Sequence, residues 1–199
     1  RDARPEHFRA HLGEALVDIR LNIAGRHNVR NALAAAACTL ALGVPVEAIV
    51  RGLAAFEPVN GRLRRTHTAQ GVPLIDDTYN ANPDSMRAAI DVLADQPAPR
   101  LMVMGDMGET GAQAEAFHRE VGEYAVSRAI EQVWAVGKDM KAAAQAGGVQ
   151  HWETVEALLA EHPQAPAGIA SILVKGSRFM KMERVVRAWA DMASPQGEH

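Results

Sequence analysis

Apolar residues along this chain recur at two periods, and the change between them divides it into elements. Val17, Ile19, Leu21 and Ile23 occupy alternate positions, the period of a strand with one buried face. Gly25 ends that run. From His27 to Leu42 the chain is alanine-rich and helix-favouring; it stops at Gly43 and restarts after Pro45 as a second short helix to about Ala55. The stretch Glu57-Pro58-Val59-Asn60-Gly61 groups proline, asparagine and glycine between two different patterns and reads as a linker, which places a domain boundary there.

Beyond the linker, apolar runs alternate with helical stretches. Strands are expected at Leu74 to Asp77, Leu101 to Gly105, Val133 to Val136 and Ser171 to Val174, and helices at 83 to 95, 112 to 128, 138 to 146, 153 to 161 and 179 to 191. Strands separated by helices of that length predict an α/β fold, a mostly parallel sheet with helices on both faces. No internal repeat or low-complexity tract interrupts the series. The polar tail Ser194 to His199 is expected to be disordered.

Composition narrows the function classes. With 199 residues, 48% hydrophobic and 23% charged, the chain can bury one or two ordinary cores. A net charge of -3 argues against binding nucleic acid by bulk charge. Apolar runs such as Ala32 to Leu42 fall short of the roughly 20 residues that cross a bilayer, and the N-terminus lacks a signal peptide's apolar region. A cytoplasmic protein without membrane insertion, and a monomer, is expected. The single cysteine, Cys38, excludes an intrachain disulfide and a cysteine-rich zinc site; within an alanine-rich helix it reads as a small core residue. The chain opens with arginine rather than methionine, so a fragment is expected.

Four polar constellations follow strands or begin helices. In Asp76 to Met86, Asn82 and Pro83 start a helix as cap and first-turn proline, while Asp77, Tyr79 and Asn80 are more polar groups than a turn requires at the end of a strand. In Gly25 to Asn31, Asn28 and Asn31 fall on one helix face, and an amide that both donates and accepts suits a nucleobase edge. The alternative is that Asn28 caps the helix and His27 is a surface residue. In Gly105 to Gly111, glycines allow a tight turn, and Asp106 and Glu109 are candidates for gripping an amine or a metal. Lys175-Gly176-Ser177-Arg178 sets two cations and a hydroxyl around a glycine before the last helix, a pattern suited to a carboxylate or phosphate. His118 has no second histidine at ligand spacing and reads as structural. Neither GxxxxGK[ST] nor GxSxG occurs, so no phosphate-loop lysine and no nucleophile elbow is available. No catalytic residue and no metal site is assigned.

GRHNVRNALAAAACTLALG, VNGRL, IDDTYNANPDSMRAAIDVL, VMGDMGETG with His118 downstream, and ILVKGSRFMKMERVV together resemble the Mur ligases, in order from about Leu21 to Trp189. YNANPDSM and GDMGETG are similar to the member that adds D-alanyl-D-alanine to UDP-N-acetylmuramoyl-tripeptide in peptidoglycan synthesis. The DYAHTPD-like segment and the DNPR motif of the diaminopimelate- or lysine-adding relative do not occur. The resemblance implies that residues 1 to 58 are the end of a central ATPase domain, a strand and a helical pair. Residues 59 to 199 are then a C-terminal Rossmann-like domain that receives the dipeptide. It implies an ATP-dependent amide ligase working through an acyl phosphate, with ATP and Mg2+ bound mainly by parts upstream of Arg1, and a fragment inactive alone.

Carried over residue by residue, the resemblance implies that Asn28 and Asn31 contact adenine and its surroundings. Arg62 reaches the ATP phosphates, Asp77 holds the ribose hydroxyls, and Tyr79, Asn80 and Asn82 border nucleotide or dipeptide. Asp106 and Glu109 then lie near the dipeptide ammonium, and Lys175, Ser177 and Arg178 near its carboxylate. The linker at 57 to 61, with Gly61 beside Pro58, would act as a hinge. The alternatives are a standalone Rossmann-like binding module and a ligase like folylpolyglutamate synthase.

Overall fold

The computed structural model describes residues 6–190, and the tail Ser194 to His199 lies outside them. The chain divides into two compact units, one ending at Val59 and one beginning at Asn60.

In the first unit, strands β1 (Glu6–Leu12) and β2 (Ala15–Leu21) pair antiparallel from Glu6 with Leu21 to Leu12 with Ala15. Helices α1 (Arg26–Ala41) and α2 (Val46–Ala54) follow. Strand β1 was not expected. Its apolar positions Phe8, Ala10 and Leu12 do alternate, but His7, Arg9 and His11 between them make the segment read as merely polar. Ile19 and Leu21 pack with Ala32, and Leu12 with Ala36 and Ile49. Only Ala32 and Ala36 of α1 are buried, so Cys38 is exposed rather than a core residue.

The second unit is built on a six-stranded sheet in the order β3-β4-β8-β5-β6-β7. Its strands are β3 (Arg64–His67), β4 (Pro73–Asp77), β5 (Arg100–Gly105), β6 (Gln132–Val136), β7 (Val149–Trp152) and β8 (Ser171–Lys175). All neighbours run parallel except β3, which pairs antiparallel with β4. The fold is therefore the mostly parallel α/β sheet that the alternation predicts. The edge strands β3 and β7 were not expected. Arg64-Arg65-Thr66-His67 contains no apolar residue to mark it, as suits a solvent-facing edge.

Helices α3 (Pro83–Ala94) and α4 (Ala114–Ser127) cover one face of the sheet, and α5 (Val155–Glu161) and α6 (Glu183–Trp189) the other. Three expected helices are partly or wholly 3-10: residues 139–145 throughout, 111–113 ahead of α4, and 178–180 ahead of α6. Under α5 and α6, Leu74, Leu101, Val103, Trp134, Ile172, Val174, Val185 and Trp189 form one apolar core. The central strands are buried on both faces and read as continuous apolar runs, as interior parallel strands do.

Arg100 ties the loops at the start of β5. Its guanidinium donates to both oxygens of Glu131 and to the carbonyls of Ala94 and Ala129, while its backbone N–H donates to Glu131 as well. The hydrogen bond from Arg100 holds the Glu131 carboxyl down at about 2.

Candidate functional site

Strand β8 lies between β4 and β5 although it comes last in the chain, so the sheet's strand order reverses there. Ligands of open α/β sheets bind at the carboxyl ends of strands beside such a reversal. Three loops meet at this edge, those after Asp77, Gly105 and Lys175.

The β4–β8 ladder sets Asp77 beside Lys175 in parallel register. The Lys175 ammonium donates to Asp77 Oδ2 at 2.7 Å and to the Asn80 carbonyl at 2.8 Å, and the Lys175 side chain is 3% exposed against 14% for Asp77. Asp77 Oδ1 accepts from the backbone N–H of Leu63 at 3.1 Å. Asp76 turns to its own loop and accepts from the N–H and hydroxyl of Thr78.

Ser177 joins the other two loops. Its hydroxyl donates to the Ala81 carbonyl at 3.2 Å and accepts from the Gly108 N–H at 2.7 Å, and its own N–H donates to the Asp106 carbonyl at 3.0 Å. Gly176 and Gly105 make this closeness possible. A Cβ on Gly176 would fall 2.6 Å from Met182 Cγ and 3.1 Å from the Gly105 Cα.

Asp106 is buried, and its Oδ1 accepts from the Met140 N–H at 2.8 Å at the start of the 3-10 segment. Burial pushes its pKa up, opposed by the backbone N–H groups of Met140 and Asp139. Beside it His118, fully buried, accepts from the Met107 N–H at Nε2 and bonds the Ala114 carbonyl through Nδ1 at 2.6 Å. These two contacts require the tautomer with the proton on Nδ1. His118 is therefore structural, as its isolation in the sequence suggests.

Around this buried centre lies an exposed rim. The Arg62 guanidinium sits 4.3 Å from the centroid of the Tyr79 ring, a cation–π contact. Gly61 makes it possible: its φ is +75°, its carbonyl accepts from the Tyr79 N–H, and an added Cβ would lie 2.9 Å from that nitrogen. Gly61 is thus held against Tyr79 within the second unit. Asn82 caps α3 reciprocally with Ser85, and the Asn80 side chain accepts from the Ala81 N–H. Glu109 is exposed at φ +57°, and Arg178 is exposed with Glu183 Oε1 3.4 Å from its guanidinium. Phe179, in the 3-10 turn at 178–180, is 61% exposed beside Gly108.

Burial thus divides the expected dipeptide contacts. Asp106, Lys175 and Ser177 are closed in and bonded to protein groups, whereas Asn82, Glu109 and Arg178 face solvent. In the first unit Asn28 and Asn31 are adjacent on α1, with Asn31 donating to Asn28 at 3.4 Å. Asn28 does not cap the helix: Gly25 occupies the cap position, and the Asn28 amide donates to the Ala24 carbonyl from inside the first turn.

Among the described residues no three His, Cys, Asp or Glu side chains gather as metal ligands. No helix among the described residues is long and apolar enough to cross a membrane.

The sequence profile of the Mur ligase glutamate ligase domain matches residues 61–178. The chain belongs to the Mur ligase family. UDP-N-acetylmuramoyl-tripeptide–D-alanyl-D-alanine ligase of Escherichia coli (strain K12) is 46% identical over 175 residues, covering 86% of this chain and 39% of that protein. A crystal structure of MurF from Acinetobacter baumannii superposes with a TM-score of 0.80 at 38% identity, covering 91% of this chain and 41% of that one. MurF ligase from Thermotoga maritima in complex with ADP gives a TM-score of 0.74 at 25% identity over 88% of this chain and 40% of that one. The chain spans about two fifths of the length of the Mur ligases it matches.

Proposed function

We propose that this chain is part of an ATP-dependent amide ligase that joins D-alanyl-D-alanine to UDP-N-acetylmuramoyl-tripeptide for peptidoglycan synthesis. The observation that carries the reading is the meeting of the β4, β5 and β8 loops around Ser177, in a chain 46% identical to a ligase of that name. In this reading residues 1–58 end an ATPase domain and residues 59–199 form the domain that receives the dipeptide.

On the nucleotide side, Asp77 accepts from the ribose hydroxyls, Arg62 neutralises phosphate charge from its seat on Tyr79, and Tyr79 and Asn80 border the nucleotide. For Asn28 and Asn31, contact with the nucleobase is supported by their adjacency on α1. On the dipeptide side, exposure favours Glu109 for the ammonium, Arg178 for the carboxylate and Asn82 at the border. Asp106 and Ser177 instead hold the loops that carry those groups. The chemistry supplied here is positioning of an amine and stabilisation of charge, with no covalent step assigned to a side chain.

The test is made on the full-length ligase carrying this chain. Supplied with ATP and the tripeptide substrate, it is expected to release phosphate in step with ligation of D-alanyl-D-alanine. Ligation of glutamate in place of the dipeptide would move it to the folylpolyglutamate synthase class. Asp77→Ala is expected to raise the KM for ATP more than that for the tripeptide; unchanged ATP kinetics would remove Asp77 from the nucleotide site.

A further inference from the structure

Lys175 is the most deeply buried cation of the site, and both of its observed bonds go to the protein. One reaches Asp77 across the β4–β8 ladder and the other reaches the Asn80 carbonyl in the loop beyond β4. Leu63, on the segment entering β3, approaches the same carboxylate with its N–H. Two donors from two distant segments therefore determine the plane of the Asp77 carboxylate, one on each oxygen. The same ammonium also pins the backbone of the loop that carries Tyr79 and Asn80.

We propose that Lys175 is a positioning residue that acts through Asp77, and that it makes no contact with the dipeptide carboxylate. This rests on the reading of Asp77 as the acceptor of the ribose hydroxyls. A carboxylate held by Lys175 and Leu63 meets a vicinal diol already oriented, so no ordering remains for the moment of binding. If Lys175 turned instead toward a dipeptide, Asp77 would lose its ammonium partner at a site with little access to water, which is strongly unfavourable. Its burial and its second bond to Asn80 both oppose that movement. The pair also explains a lysine at the end of β8 where arginine follows three residues later: the compact ammonium fits between two acceptors 2.7 and 2.8 Å away, a geometry that a planar fork does not match.

The test is a double-mutant cycle in the full-length ligase, read as separate KM values for ATP and D-alanyl-D-alanine and as the melting temperature. Lys175→Met is expected to raise the KM for ATP about tenfold, to leave the KM for the dipeptide within about twofold and to lower the melting temperature. In Asp77→Asn/Lys175→Met no charge is stranded, so the melting temperature recovers. The KM for ATP of the pair is expected to stay within about twofold of that of Asp77→Asn alone, because Lys175 acts on the nucleotide through Asp77. If Lys175→Met does not fold, the pair against Asp77→Asn carries the same comparison. Three results overturn the proposal: a rise in the dipeptide KM on removing Lys175, single effects on the ATP KM that multiply in the pair, or an Asp77→Asn effect on ATP that Lys175→Met does not share. If Asp77→Asn itself leaves the ATP KM unchanged, the ribose reading fails and this proposal fails with it.

Discussion

Ser177 makes two side-chain hydrogen bonds to two different loops, so its hydroxyl is a small group whose removal should be felt widely. Ser177→Ala leaves the Gly108 N–H without its acceptor in a closed environment, which is expected to cost about 1–3 kcal/mol in urea unfolding. Asp106 gives the opposite expectation. Burial favours its protonated form in the folded state, so its contribution is fully present below the ordinary value of 3.8 and declines as pH rises through the raised folded value. Asp106→Asn keeps an oxygen for the Met140 N–H while removing the buried charge. Melting temperatures between pH 4 and 7 should show the variant no less stable at pH 7 and with a flatter dependence. A clear loss at pH 7 would mean that the charge itself is needed.

At the scale of elements, Glu131 and the closely packed glycines make the sharpest claims. The Glu131 carboxyl is depressed from 4.5 to about 2 by Arg100, so its stabilisation is present above the ordinary value and is lost as pH falls from there through about 2. Glu131→Gln should therefore lack part of the acid-side fall in melting temperature, and Arg100→Ala should be destabilised throughout. Gly176→Ala presses a methyl onto Met182 and the Gly105 backbone and is expected to cost about 1–3 kcal/mol, measured by the same unfolding curves. The elements that the sequence makes legible are those whose burial is one-sided or complete, such as β2, β5 and β8. The edge strands β3 and β7 are held by ladder bonds between backbones, and their side chains carry too little apolar contrast to announce them.

At the scale of the molecule, the residues that cluster at the sheet edge come from segments far apart in the chain. Lys175 and Asp77 are separated by 98 positions. The motif strings point to each residue, but their pairing depends on strand order, and nothing local to KGSR or IDDTYN states that β8 inserts between β4 and β5. This is why Lys175 reads from its own surroundings as an anion contact, whereas the sheet gives it a carboxylate of its own. The absence of a GxxxxGK[ST] string leads to one more expectation. Mixed alone with ATP, Mg2+ and both substrates, these 199 residues should release no phosphate in a coupled assay; turnover would place the phosphate grip within them.

The tilted stack of Trp134 on Trp152, with ring centroids 5.1 Å apart, and the edge-on approach of Trp189 at 5.9 Å gather all three tryptophans of the chain in one place. Both tyrosines, Tyr79 and Tyr124, also lie beyond Val59. Intrinsic emission is therefore a spectroscopic label for the second unit alone. An unfolding curve followed by fluorescence would be blind to the hairpin and helices of the first unit, whereas far-ultraviolet circular dichroism would register both. A mismatch between the two signals would report stepwise melting without any introduced probe.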